Sequence, residues 1–179
     1  MFKKIFAIFA TILLSVNIIQ ANANTHSSVF SHPSSIKEAS QKMPALNSAC
    51  AKFRQEKLLP DNKTVLQSSG DFEYVKDKGM VFKTTHPLQS TSYYSPDDFL
   101  FAVSNKGNFN IEKNFDIFFI ENESKNSWTL GLVPKKNSKM EKQLNSVVIE
   151  GKDNAAFALN KIVISTKNSG KTTIWFEKN

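Results

Sequence analysis

The chain has 179 residues, 40% of them hydrophobic and 22% charged, which is ordinary for a folded domain and excludes both a disordered chain and a multi-span membrane protein. Its formal charge is +7, and Arg54 is the one arginine among 23 cationic residues, a lysine bias that fits an AT-rich coding sequence. Cys50 is the single cysteine, so an internal disulfide or a cysteine metal cluster is excluded, and burial is the expected fate of its thiol.

The N-terminus reads as a secretion signal. Lys3 and Lys4 precede an apolar run from Ile5 to Val16, and Ala21-Asn22-Ala23 fits the small-x-small cleavage rule. Residues 1–23 are therefore expected to be a signal peptide and residues 24–179 a single exported domain. The apolar run is short for a membrane span, and Cys50 lies too far beyond it for lipidation.

From Asn24 to Ser35 the composition is polar, with His26, His32 and Pro33, and suggests a loose arm. Ser34-Ser35-Ile36-Lys37-Glu38 then predicts a capped helix start, with serine at the cap and glutamate in the first turn. That helix should run to about Met43 and stop at Pro44, since proline cannot donate to the helical ladder. Ala45 to Leu59 stays open: Leu46, Ala49, Cys50 and Phe53 suit a helical face, whereas Ala51, Phe53, Gln55 and Lys57 suit an alternating strand.

A hairpin comes next. Phe72 and Tyr74 alternate on one run, Met80 and Phe82 on the next, and Asp77-Lys78-Gly79 ties them, its glycine able to take positive φ. The other face carries Asp71, Glu73, Lys76 and Lys83, so one side of the sheet must cover apolar material. Two-residue alternation then recurs at Phe99, Phe101 and Val103, a piece that could also be helical. It continues at Phe109 and Ile111, Phe115, Ile117 and Phe119, Trp128, Leu130 and Leu132, Val147 and Ile149, Ile162 and Ile164, and Ile174 and Phe176. Turn signals separate the runs, at Asn105 to Asn108, Ser124 to Ser127, Gly151 to Asn154 and Asn168 to Lys171. A short helix followed by many strands implies an antiparallel meander that curls into a sandwich or barrel.

Phe53-x-Gln55, Ser69-Gly70-Asp71-Phe72, Gly79-Met80-Val81-Phe82, His86-Pro87 and Trp128-x-Leu130-x-Leu132-x-Pro134-Lys135, in that order over most of the mature chain, resemble the LolA family of periplasmic lipoprotein carriers. The resemblance implies an α+β, mainly β fold: a strongly curved antiparallel sheet forming an incomplete barrel closed by short helices. It also favours the strand reading of Ala51 to Leu59. The implied function is a periplasmic carrier, in a Gram-negative cell, that holds the acyl chains of a lipoprotein or related lipid and shuttles them from the inner to the outer membrane. The implied partners are the acylated cargo, an inner-membrane releasing transporter and an outer-membrane acceptor; a monomer is expected, with no cofactor. In the family an arginine latches the helical lid, and that position falls here on Lys76, with Asp77 where the family has proline. Lysine keeps the charge but not the planar five-donor fork, which marks a divergent branch with Lys76 as the lid latch candidate.

The energetics of such cargo can be reasoned independently. Each methylene removed from water is worth roughly 0.8 kcal/mol, so an acyl chain of about 15 methylenes represents on the order of 12 kcal/mol. A carrier must match most of that with a broad apolar wall, and phenylalanine suits the wall because it has no polar atom to leave unpaired. Phe72, Tyr74, Met80, Phe82, Phe99, Phe101, Trp128 and Leu130 are the expected wall or lid residues. A dry core made of the same residues is the alternative, with the chain then a structural or interaction domain.

No enzyme emerges from the sequence. His26, His32 and His86 are scattered rather than spaced as metal ligands. Ser34-x-x-Lys37 lacks the partner motifs of serine-lysine enzymes, and Ser169-Gly170-Lys171-Thr172 lacks the first glycine of a phosphate loop. Asp97 with Asp98 and Glu121 with Glu123 sit in turn-like contexts. Lys135, Lys136, Lys139 and Lys142 could dock an acidic partner or anionic headgroups, or could form a solvated linker. Nucleic acid is not expected, because the aromatic residues follow strand period instead of interleaving with lysines.

Overall fold

The computed structural model describes residues 29–43, 48–75, 78–95, 111–152, 158–168 and 170–178. Along the chain these form β1 (Pro33–Ser34), α1 (Ile36–Lys42), β2 (Ser48–Leu58), β3 (Val65–Val75), β4 (Gly79–His86) and β5 (Ser90–Tyr94). There follow a helical turn α2 (Ile111–Asn114), β6 (Phe115–Asn122), β7 (Ser127–Pro134), β8 (Leu144–Lys152), β9 (Leu159–Thr166) and β10 (Lys171–Lys178). Among the described residues the fold is mainly β.

The strands make one ten-stranded sheet in the order β1-β6-β7-β8-β9-β10-β2-β3-β4-β5, every pair antiparallel. Its edges, β1 and β5, do not pair with each other, so the sheet is not closed into a barrel. The meander from β2 to β5 and the meander from β6 to β9 are joined by β10, which pairs with β9 on one side and β2 on the other. The stretch before Pro60, which periodicity left open between helix and strand, is a strand from Ser48, as the resemblance favoured.

Register explains the core. Phe53 lies opposite both Gly70 and Phe176, Phe72 opposite Ala51 and Phe82, and Leu130 opposite Phe119 and Ile149. Alternate residues from every long strand therefore meet on one face, and they join a single apolar cluster that also takes in Ala39 of α1. The outer face is mostly charged, with Lys52 paired to Asp71, Lys83 to Glu73 at 3.7 Å, and Arg54 stacked 3.9 Å from the Trp175 ring centre. Lys161 and Glu150 form a largely covered outer pair at 2.8 Å.

Several expectations are corrected. Cys50 is exposed, not buried: it pairs across from Glu73 on the outer face, one residue out of phase with inward Ala51. Ile111 does not continue a strand with Phe109, because Ile111–Asn114 is a helical turn leading into β6. The supposed loose arm is docked from Val29 onward. Val29 is fully buried against Val148 and Val163 on the outer face, Phe30 meets Phe118 edge to face at 5.5 Å, and Pro33 and Ser34 pair with Phe118 and Ile117. Gly131 makes this possible, since a β-carbon there would lie only 3.0 Å from Val29 Cγ1 and from Phe30 Cε1.

The turn chemistry follows the sequence more closely. Gly79 has φ +125° and Gly170 φ +81°, the conformations for which glycine is needed. Asn126 takes a left-handed conformation after the 3-10 turn Glu123–Lys125. The expected signal peptide and the turn at Asn105 to Asn108 lie outside the described residues.

Candidate functional site

The inner face of β2, β3, β4, β5 and β10 is an aromatic wall. Phe82 is its hub, with ring centres 5.1 Å from Phe53, 4.9 Å from Phe72, 5.7 Å from Tyr94 and 6.3 Å from Phe176. Most of these contacts are edge to face, the arrangement that sets the positive ring edge against a negative ring face. Tyr74 and Met80, opposite one another on β3 and β4, extend the wall toward the Gly79 turn. Trp128 and Leu130 belong to the same apolar cluster from the other half of the sheet, on β7.

Six of the eight expected wall residues, Phe72, Tyr74, Met80, Phe82, Trp128 and Leu130, thus come together on one face, and all six are buried. Phe99, Phe101 and the latch candidate Lys76 lie outside the described residues. Trp128 packs over Gly151, where a β-carbon would run into its ring, and its Nε1 is buried without a partner among the described residues. A buried indole N–H ordinarily finds an acceptor.

The wall opens at the rim where β2 and β4 end. A pocket of about 370 Å³ lies there, where Phe53, Phe82, Tyr94 and Ile174 meet a lining that is otherwise largely polar, with Gln55, Ser68, Thr84, Ser90 and Ser92. That volume is within the range that takes small organic ligands. Phe53 and Ile174 were legible as apolar members of alternating runs, but no sequence signal separated them, or Tyr94, from ordinary core; their nearness to the rim is what makes them lining residues.

Helix α1 is fastened at both ends to the half of the sheet that carries β6. Ser35 caps it: its Oγ accepts the Glu38 N–H at 3.2 Å, and Glu38 Oε2 accepts the Ser35 N–H at 3.1 Å and the Ser34 hydroxyl at 3.0 Å. These donors, the Ser35 N–H foremost, hold the Glu38 carboxyl below its ordinary range. The Ile36 N–H donates to Glu112 Oε1 at 3.0 Å. At the far end Lys42 Nζ meets Glu121 Oε2 at 2.7 Å, and that hydrogen bond raises the lysine pKa. Glu112 and Lys42 escaped the sequence reading, and Glu121, expected in a turn-like context, instead lies in β6 opposite Trp128; their partners are 76 or 79 residues away and leave no local mark.

Among the described residues there is no group of three or more side chains able to hold a metal ion, and no helix is long and apolar enough to cross a membrane. No protein-family model matches the chain, and no curated protein matches it significantly.

Proposed function

We propose that the protein is a carrier that takes the acyl chains of a lipoprotein or related lipid into the inner face of its sheet, as a divergent LolA-like protein would. The observation that carries this reading is the rim pocket, whose aromatic floor is continuous with the apolar wall behind it. Hydrocarbon entering there would meet ring faces and edges, while the hydroxyl and amide groups of Ser92 and Gln55 stay at the mouth, where water can satisfy them. In this reading the open sheet is an incomplete barrel and α1 is its lid, tied by Glu112 and Glu121 in addition to any latch at Lys76. Export by residues 1–23 to the periplasm, passage between membrane partners and the absence of chemistry belong to the same proposal. A carrier without a nucleotide site moves cargo only toward acceptors that hold it more tightly.

A dense aromatic wall also favours a second reading, an interaction domain with a solid core, because Phe72, Tyr74, Met80 and Leu130 are all but inaccessible. One substitution separates the two. Ser92 is exposed, faces the pocket from an edge strand and lies opposite Phe82, so Ser92→Trp should fill the mouth and leave the wall intact. A fluorescent fatty acid is expected to bind the mature protein and to bind the variant at least about tenfold more weakly, the loss of roughly 1.4 kcal/mol of apolar contact. Absence of probe binding, together with lipid-free protein in native mass spectrometry of periplasmic material, would leave the solid-core reading in place.

A further inference from the structure

At the rim where β2, β4, β7 and β9 end, apolar side chains are left in the open. Val65 is 47% exposed, Leu66 52% and Leu88 79%. The register accounts for the first two. Strand β3 pairs with β2 from Val65 but meets β4 only from Ser69, so the tip of the β2–β3 hairpin stands beyond its neighbour. Leu88 follows in the β4–β5 turn at the same rim. Isolated exposed leucines are common, but a set gathered at one end of a molecule marks an interaction surface.

The same rim is rich in lysine. Lys57 and Lys63 flank the hairpin tip, Lys167 lies in the β9–β10 turn and Lys171 opens β10, and the loop after β7 carries Lys135, Lys136 and Lys139. Lys113 joins the last three around a pocket of about 560 Å³, which Met140, packed against the apolar cluster, also lines. Ser138 Oγ is buried at this pocket and finds no partner among the described residues. Of the acidic groups nearby, Asp61 is turned to the Lys63 and Thr64 amides and the Thr64 hydroxyl and Glu141 to the Asn137 N–H at 2.6 Å, while Asp116 is only loosely paired with Lys135, at 3.9 Å, so lysines outnumber the acids that face them.

From this juxtaposition we infer that the rim docks the protein on an anionic lipid bilayer. Val65, Leu66 and Leu88 enter the headgroup region, and the lysines meet lipid phosphates, with the Lys113, Lys135, Lys136 and Lys139 pocket seating a headgroup. Exposed apolar residues ringed by cations match a surface that is apolar beneath and negative above, whereas a wholly acidic protein would leave the leucines in water. Each lysine brought to such a surface strengthens partitioning about fivefold. The inference stands on the rim alone and needs no cargo in the interior.

The test is flotation of the mature protein with vesicles of phosphatidylglycerol and phosphatidylethanolamine, against vesicles of phosphatidylcholine. Wild-type protein is expected to float with the anionic vesicles and to be released by salt. The triple variant K135E, K136E, K139E should bind at least about tenfold more weakly, and Leu66→Ser several-fold more weakly. Leu66, Lys136 and Lys139 are exposed and Lys135 is half-buried, and none of them lines the rim pocket, so both variants should still bind a fluorescent fatty acid like wild type, and failure to dock and failure to carry acyl chains are read separately. Protein that stays behind with anionic vesicles, floats equally with both kinds, or floats unchanged as either variant overturns the inference. So does self-association in which the rim is covered by a second copy, seen as a dimer that Leu66→Ser dissolves.

Discussion

Gly151 shows how one missing side chain sets the placement of a large one. A β-carbon there would overlap the Trp128 ring and the Ala158 carbonyl, and the carbonyl is backbone that cannot swing away. Gly151→Ala is therefore expected to cost about 2 kcal/mol by overpacking, read as a lower urea midpoint together with a shift in tryptophan emission. The sequence marked Gly151 as a turn residue, yet it lies within β8 across from Trp128, because a glycine reserved for a neighbouring ring looks no different from one reserved for a turn. Cys50 illustrates the same limit. Alternation told that Ala51 and Phe53 share a face only once a strand was assumed, and under the helical alternative Cys50 shared the apolar side with Phe53. By contrast, a serine cap with a glutamate in the first turn was legible within Ser34 to Glu38, since all the atoms involved lie within one turn of chain; the structure gives the cap to Ser35 and makes Glu38 its reciprocal acceptor.

At the scale of the element, α1 is a seven-residue helix, too short to persist in water by its own propensity. What holds it is the burial of Ala39, the Ser35 cap and the two long-range attachments at Glu112 and Glu121. Its pH response follows from the shifts. The Glu38 carboxyl is depressed below its ordinary 4.5, so its contribution is present above that value and disappears as pH falls through the lower folded pKa. Lys42 is raised above its ordinary 10.5, so its contribution is complete below that value and disappears as pH climbs through the folded pKa. Amide protection factors in α1 should accordingly be flat between about pH 4.5 and 10.5 and fall on either side. Both groups are exposed and water screens them, so the rest of the sheet should show no such edges. Elements with long, regular alternation, β3, β4, β7 and β10 among them, were readable because every second residue reported the same face. Ile111 was not, since two apolar residues two apart fit the start of a helical turn as well as a strand.

At the scale of the molecule, the mainly β character and antiparallel pairing followed from the spacing of apolar runs and turn signals. The sheet order did not, because the union of residues 171–178 with β2 depends on partners more than a hundred positions away and leaves no local mark. A proline in an interior strand removes a ladder hydrogen bond and clashes with its neighbours, and Thr173 lies opposite both Val163 and Glu56. Thr173→Pro should therefore collapse the fold in one cooperative transition, detected as loss of native signal from both tryptophans together; a variant that merely frays residues 171–178 would show the two halves to be independent. The position of that strand also imposes a timetable. As a chain emerges from its N-terminus, each half can zip its own hairpins, but each ends in an uncovered hydrogen-bonding border until residues 171–178 arrive to bridge them. The interval before that arrival is when a chaperone has something to shield, and when a stray strand from another copy could take the vacant place.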